Sequence, residues 1–397
     1  MGQDLPITGP KPPLLRLAEG VGASQTGNTL PTVRGMVRDW RSFDRGDRVA
    51  AWDQLAQSAS EPNPFYESWF LLPALEQFDP HHRVQIFAIE ADGQLIGLLP
   101  LRRDLSYYGN PIPHLRGWTH DNCFLGTPLV LEGCERLFWA ELLRWADAHP
   151  RLALFFHFLH MPVGGALHEA LKREIERSGR PAATVMLEER ALLESDLSPE
   201  DYFEQSLSTK KRKELRRQER RLAEAGRLEI EEVSDCEEIA EWTREFLELE
   251  AKGWKGKNGS ALANDDRTRR VFKRALSGAA RRGRLQRLTL RLDGRAIAML
   301  ANFIAPPGAF SFKTTFDEDY ARFSPGVLLQ RNNLQILQHG SVGWIDSCAA
   351  SDHPMIDHFW RERRSIARYS IGIGGGLRRQ AFDKIVRFET GAASGGI

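Results

Sequence analysis

One octapeptide recurs in the chain with half of its residues unchanged. Asp92-Gly93-Gln94-Leu95-Ile96-Gly97-Leu98-Leu99 returns 201 positions later as Asp293-Gly294-Arg295-Ala296-Ile297-Ala298-Met299-Leu300. Asp-Gly between alternating apolar runs is a strong short-range signal for a tight hairpin turn. Any two hairpins of this kind share such residues, so the order of the surrounding elements carries more weight. That order also repeats: helices, hairpin, strand, helix, strand. Within 397 residues, this predicts two α/β halves of ordinary domain size.

The first half reads as follows. Helical patterns run from Trp40 to Phe78, broken at Pro62 and Pro64. Strands are expected at Val84–Ile89 and Leu95–Leu101, either side of the first turn. Glu135–Ala148 is an amphipathic helix, with Leu137, Phe138, Leu142 and Trp145 spaced for one face. A buried strand follows at Leu152–Leu159, then a helix at Gly165–Gly179 and a strand at Ala182–Leu187. Residues 1–35 lack periodicity and read as a flexible leader. The predicted domains are therefore 36–194 and 195–397.

In the second half a long helix is expected over Ser198–Gly226, with Ser198 as N-cap and Gly226 as the stop. Cys236–Lys252 and Asp266–Arg282 read as helices. Leu285–Leu292, Ala296–Ile304 and Ala309–Thr315 read as strands. Ser324–His339 is predicted helical, Val342–Ser347 a strand and Met355–Arg363 a helix.

Composition narrows the class. Lys plus Arg number 54 and Asp plus Glu 53, a net charge of +1, so no global basic excess points to nucleic acid. The cysteines Cys123, Cys134, Cys236 and Cys348 form no C-x-x-C pair, which argues against zinc and for a reducing compartment. No run approaches the ~18 apolar residues of a membrane span, and the N-terminus has no apolar signal core. The expectation is a cytoplasmic protein, with a peripheral contact at the inner membrane left open.

Phe316–Gln330 is the most informative stretch. A polar loop leads into Ser324-Pro325-Gly326 and an apolar helix. Ser suits the N-cap and Pro the first helical position. The free N–H groups and positive dipole end of such a terminus suit an anion. A merely well-capped helix has the same sequence.

G-W-K-G at 253–256, L-R-L-D-G-R-x-I-A at 290–298 and F-K-T-x-F-D-E-x-Y-A-R-x-S-P-G at 312–326 together resemble one known group. This is the cellulose-biosynthesis-type acyltransferases of the GNAT superfamily, related to the Fem-type tandem GNAT aminoacyltransferases. The resemblance covers about 195–370, and 40–190 looks like a diverged copy. It implies two mixed sheets that splay between central strands, with acyl-CoA in the cleft. The cofactor-binding residues would be Arg322, Ser324, Pro325, Gly326 and Val327, with the pyrophosphate at the helix N-terminus. Trp254 and Lys255 would border the acceptor.

Asp346–Pro354 follows an apolar strand and concentrates Asp346, Cys348, Asp352 and His353. N-acyl transfer needs a proton acceptor for the amine and donors for the developing oxyanion. His353 is the expected base, oriented by Asp346 or Asp352. The same residues would also suit a polar loop capping a helix near Pro354. Cys348 as a covalent nucleophile lacks an adjacent histidine signature. Lys313, in an aromatic strand, would place the acyl carbonyl and pair with Glu250 or Asp317; an edge position reaching water explains it equally. His120 and His157 are candidate acceptor-cleft residues, the other reading being hydrogen-bonded core histidines. His157 and His160 form an H-x-x-H that on a strand points its rings to opposite faces, so no metal is expected.

The run K-K-R-K-E-L-R-R-Q-E-R-R at 210–221 is either a solvated face or an anion surface. Lys210, Lys211, Arg212, Arg216 and Arg217 would attract CoA phosphates or anionic headgroups, and nucleic acid is not expected without interleaved aromatics.

The expected activity is transfer of an acyl group from acyl-CoA to a primary amine, by direct attack. The acceptor stays open between an amphiphilic amine, such as the long-chain base of bacterial ceramide synthases, and an amino sugar of an envelope polysaccharide. The alternatives are a Fem-like aminoacyl-tRNA-dependent transferase and a non-catalytic scaffold.

Overall fold

The computed structural model describes residues 33–338, 340–351, 353, 355–391 and 394–397. The first half contains β1 (Val33–Asp39), α1 (Gly46–Gln57), α2 (Ser68–Phe78), β2 (Gln85–Ala91), β3 (Gln94–Asp104), β4 (His114–Gly117) and β5 (Leu129–Val130). It continues with α3 (Glu135–Ala148), β6 (Phe155–Pro162), α4 (Ala166–Ser178) and β7 (Ala182–Glu194). The second half has α5 (Pro199–Ser206), α6 (Thr209–Glu224), β8 (Leu228–Val233), α7 (Ile239–Lys252), α8 (Trp254–Lys257), α9 (Asp266–Ala280), β9 (Leu285–Leu292) and β10 (Arg295–Ala305). It ends with β11 (Gly308–Phe316), α10 (Pro325–Asn333), β12 (Trp344–Asp346), β13 (Glu362–Gly372) and α11 (Gly376–Thr390).

Among the described residues thirteen strands join one mixed sheet in the order β1-β2-β3-β4-β6-β13-β7-β12-β11-β10-β9-β8, with β5 beside β3. The internal repeat is visible in the pairing. β2 to β3 and β3 to β4 are antiparallel and β4 to β6 is parallel; β9 to β10 and β10 to β11 are antiparallel and β11 to β12 is parallel. Both hairpins turn through positive φ at two successive residues, Asp92-Gly93 and Asp293-Gly294. Asp and Gly tolerate that geometry, which matches the twist of the flanking strands.

The halves then exchange strands. β13 inserts between β6 and β7, and β7 pairs with β12. The main core crosses the junction: Phe65 and Phe70 meet Phe303 and Phe312, with ring centroids 5.7–6.2 Å apart. Such aromatic pairs add roughly 0.5–1.5 kcal/mol each beyond their burial.

Three expectations need correction. The helix predicted over 198–226 is two helices, because Ser208 is a second N-cap: its side chain accepts from Lys211 N, while Leu207 is extended. The helix predicted over 324–339 ends at Asn333 and tightens into a 3-10 turn over Leu334–Gln338; His339 lies outside the described residues. Residues 355–359 form turns rather than a helix, and from Glu362 the chain is strand. The leader predicted over 1–35 lies outside the described residues except at its end, where Val33 already opens β1.

Candidate functional site

The parallel pairing of β11 with β12 is short. It joins Gly308 to Trp344, Ala309 to Ile345 and Phe310 to Asp346, and stops. Beyond that point β11 continues to Phe316, still paired with β10 on its other side. The opposing chain leaves: Ser347 N–H turns to Ala191 O of β7 (3.2 Å). The sheet therefore splays, and a cleft of about 610 Å³ opens between the strands.

Its walls are Ser311–Thr314 and Phe316 of β11 and Ser347–Ala350 after β12. Trp254 and Lys255 of α8, Ser324–Val327 at the start of α10, and His353, Met355 and Ile356 complete it. One wall residue, Phe124, comes from the first half. Thus Trp254, Lys255, Lys313, Ser324, Pro325, Gly326, Val327 and His353, chosen from sequence, converge on one cleft.

Lys313 is half-buried, with its ammonium 5.2 Å from the Phe124 centroid and 5.5 Å from that of Phe312. Neither carboxylate weighed for it is free. Glu250 accepts from Lys255 Nζ (3.1 Å) and Leu262 N (2.8 Å), and Asp317 is held by Lys252 (3.0 Å) and Arg295. Desolvation, then repulsion from Lys255, lowers the Lys313 pKa to about 8. Lys255 also donates to Thr314 O (3.2 Å), so the Glu250–Lys255 pair braces the cleft side of β11.

His353 accepts a long hydrogen bond at Nδ1 from Met355 N–H (3.4 Å). A neutral imidazole accepting at Nδ1 carries its proton on Nε2. Burial, then the Lys255 charge, lowers its pKa, so the ring is neutral near pH 7.

Asp346 does not orient His353. It is buried and bound to Arg190 (2.6 Å) and Arg364 (2.9 Å), and its Oδ1 accepts from Cys348 N (2.9 Å). Burial works against its charge, but the two guanidinium groups outweigh it and hold the carboxyl below its ordinary range. Asp346 is the knot that ties β12 to β7 and β13 where the sheet opens. Asp352 lies outside the described residues. Cys348 lines the cleft, but burial and then the nearby Asp346 charge push its thiol pKa far up, the opposite of an activated nucleophile.

At the start of α10, Ser324 occupies the N-cap position in the left-handed region, and its side chain makes no cap. Its carbonyl instead receives Val327 N–H (2.9 Å) and Leu328 N–H (3.1 Å). A Cβ at Gly326 would lie 2.9 Å from Met355 Sδ, so the missing side chain lets Met355 close on the helix. Arg322 is exposed, stacks on Phe323 (4.7 Å) and does not line the cleft.

The two histidines stay outside. His157 belongs to the first-half core, with Nδ1 3.0 Å from Ser370 Oγ, and burial takes its pKa down to about 3. His120 packs between Phe70 and Phe78, and burial with the Lys313 charge also lowers its pKa to about 3. Its loop nevertheless delivers Phe124, the residue sequence reasoning passed over. On α6, Lys210 and Lys211 are exposed, Arg212 is tied to Glu204 O, Arg216 pairs with Glu204 (3.0 Å) and Arg217 with Glu214 (2.5 Å).

Residues 209–353, which hold most of this cleft, match the family model of the acetyltransferase (GNAT) domain. The chain has a GNAT-type fold. FemX aligns with a TM-score of 0.53 at 10% identity, over 85% of this chain and 98% of its own. A conserved protein of unknown function from Bacteroides thetaiotaomicron VPI-5482 aligns at 0.52 and 12%, over 82% and 97%. A tandem GNAT protein from the clavulanic acid biosynthesis pathway aligns at 0.40 and 16%, over 87% and 100%. No curated protein matches in sequence. Among the described residues, no helix is long and apolar enough to cross a membrane.

Proposed function

We propose that the second half transfers an acyl group from an acyl-CoA thioester to a primary amine in the β11–β12 cleft. One observation carries the reading: a β11 edge released from its partner faces a mostly apolar cleft that also holds Lys313, His353 and the start of α10. The free edge suits the amide groups of a pantetheine arm, which would add as a further strand. The positive end of α10 suits the diphosphate. Gly326 and Val327 would lie against it, with Lys255 above the arm.

The amine nitrogen attacks the thioester carbonyl carbon, the C–S bond breaks, and the thiolate leaves and takes up the proton that Lys313 has received from the amine, which restores neutral Lys313. Lys313 in its neutral form accepts the proton lost by the amine. His353 donates Nε2–H to the carbonyl oxygen as negative charge develops. Glu250 acts through Lys255 as a positioning residue. Phe124 and Trp254 shape the acceptor side, where an amphiphilic amine fits the aromatic lining better than an amino sugar.

A thermal-shift titration with CoA, acetyl-CoA and long-chain acyl-CoAs tests this. A ligand of the folded state at 100 times its Kd adds about 2.7 kcal/mol. Stabilisation that grows with chain length supports the reading and directs the acceptor search to amphiphilic amines. No shift with any thioester removes acyl-CoA and leaves an aminoacyl-tRNA donor or a scaffold role.

A further inference from the structure

Nine large apolar side chains are exposed among the described residues, and hydrogen bonds bring five of them around α11. Leu377 and Phe388 of α11 are 84% and 93% exposed. They are eleven residues apart, three helical turns and about 16 Å, and so share one azimuth. Lys384 stands on the same ridge between them. The inner face of α11 is spent on Phe382 and Val386. Hydrogen bonds place the other three nearby. Arg378 donates to Arg151 O (2.6 Å) and Ala153 O (3.0 Å), which fixes Leu152 beside the helix. Tyr107 donates to Glu389 (2.8 Å), which brings in Leu105 and Tyr108.

We propose that this outer face of α11, with Leu152 and residues 105–108, docks on an anionic phospholipid bilayer. Apolar tips alternating with cations are what an interfacial helix presents to a bilayer. The local charge is net positive once ion pairs are removed: Arg151, Lys384 and Arg378 stand against the one carboxylate of Glu389. Arg387 pairs with Asp383 (2.9 Å) and Arg379 with Asp147 (3.2 Å), while Glu389 is held by the neutral Tyr107 hydroxyl and keeps its charge. Arg151 and Lys384 meet no carboxylate among the described residues, and Arg378 meets only carbonyls. A two-fold contact with a second copy would set these cations against themselves. An anionic surface gains from each of them. The basic helix α6 differs: its only buried apolar anchors, Leu215 and Leu222, face inward, so it offers charge without insertion. The inference stands apart from the transfer chemistry.

The test is co-sedimentation of the full chain with phosphatidylcholine vesicles, with and without about 30% phosphatidylglycerol. Wild type is expected to bind the anionic vesicles, less so as salt rises. The double variant Leu377→Ala, Phe388→Ala should bind about tenfold more weakly with unchanged circular dichroism. Lys210→Glu with Lys211→Glu should bind like wild type. Equal binding by wild type and the α11 variant overturns the proposal, as does loss confined to the α6 variant. A wild-type dimer that the α11 variant returns to monomer, without vesicle binding by either, assigns the face to self-association instead.

Discussion

Replacing Lys313 with Met should stabilise the protein while removing its activity. The ammonium sits over two aromatic rings, and Glu250, one of the carboxylates that act on it, is bound to Lys255. Desolvation is the main reason its pKa falls from 10.5 to about 8. That fall from 10.5 to about 8 sets a ceiling of ~3 kcal/mol on what the charge costs the native state. Water reaching the half-buried side chain makes the measured value smaller. The sign follows from linkage: the folded pKa lies below the unfolded one, so the unfolded chain binds the proton more tightly between them. The cost is therefore full below the folded pKa of about 8 and is relieved as pH rises toward 10.5. Methionine is one atom shorter, unbranched and apolar, and its thioether suits an aromatic surrounding. Denaturant unfolding should show Lys313→Met more stable at about pH 7, by up to ~3 kcal/mol, with the gap closing near pH 10. A variant no more stable at neutral pH, or a gap independent of pH, refutes the desolvated ammonium and the base role built on it.

Wild-type kcat/KM should rise with pH to a shoulder at about 8, where Lys313 loses its proton, and Lys313→Arg should lose activity while keeping the charge. His353→Ala should lower kcat by about 10²–10³, the range for loss of one oxyanion donor, at near wild-type stability; full activity would remove His353 from the chemistry. Gly126→Ala should cost both stability and acceptor affinity, since its Cβ would lie 2.1 Å from Leu159 O and would move the loop that carries Phe124. Gly46→Ala, with nothing within 4 Å, is the neutral control; equal behaviour of the two would sever Phe124 from the cleft.

The second-half cleft was readable because its parts are local. Strand β11, the S-P-G cap and the polar stretch after β12 follow one another between residues 308 and 354, and each has its own turn or cap chemistry. The roles were less readable than the places. Asp346 stood out as a carboxylate in an apolar strand, but its partners Arg190 and Arg364 come from β7 and β13, and no local pattern connects them. β13 itself was missed because an interior strand whose Arg364 and Arg368 serve the distant Asp346 and Tyr108 does not alternate as a half-buried strand does. Phe124 was hidden for a similar reason. It sits in a stretch noted for His120, and only the fold shows that the phenylalanine, not the histidine, reaches the cleft.

The repeat explains why one half would act and the other would support it. β4 and β6 pair in parallel at Leu115–Phe156 and Arg116–His157, then part as β11 and β12 do. The first-half opening is filled by the protein's own chain. Gly126 N–H donates to His160 O (3.1 Å), and no side chain fits at Gly126 because Leu159 O is too close. That loop occupies the place where a ligand arm lies in the proposed second-half site, and it is pinned further by Tyr66 OH to Trp118 O (2.9 Å) and by Arg190 to Phe124 O (3.0 Å). Arg190 also binds Asp346, at the point where the second-half sheet opens. A single buried guanidinium therefore joins the plug of the closed cleft to the hinge of the open one. The first half spends its own splay to hold Phe124 against Lys313, and the exchange of β7 and β13 keeps both ends of that link in one rigid sheet.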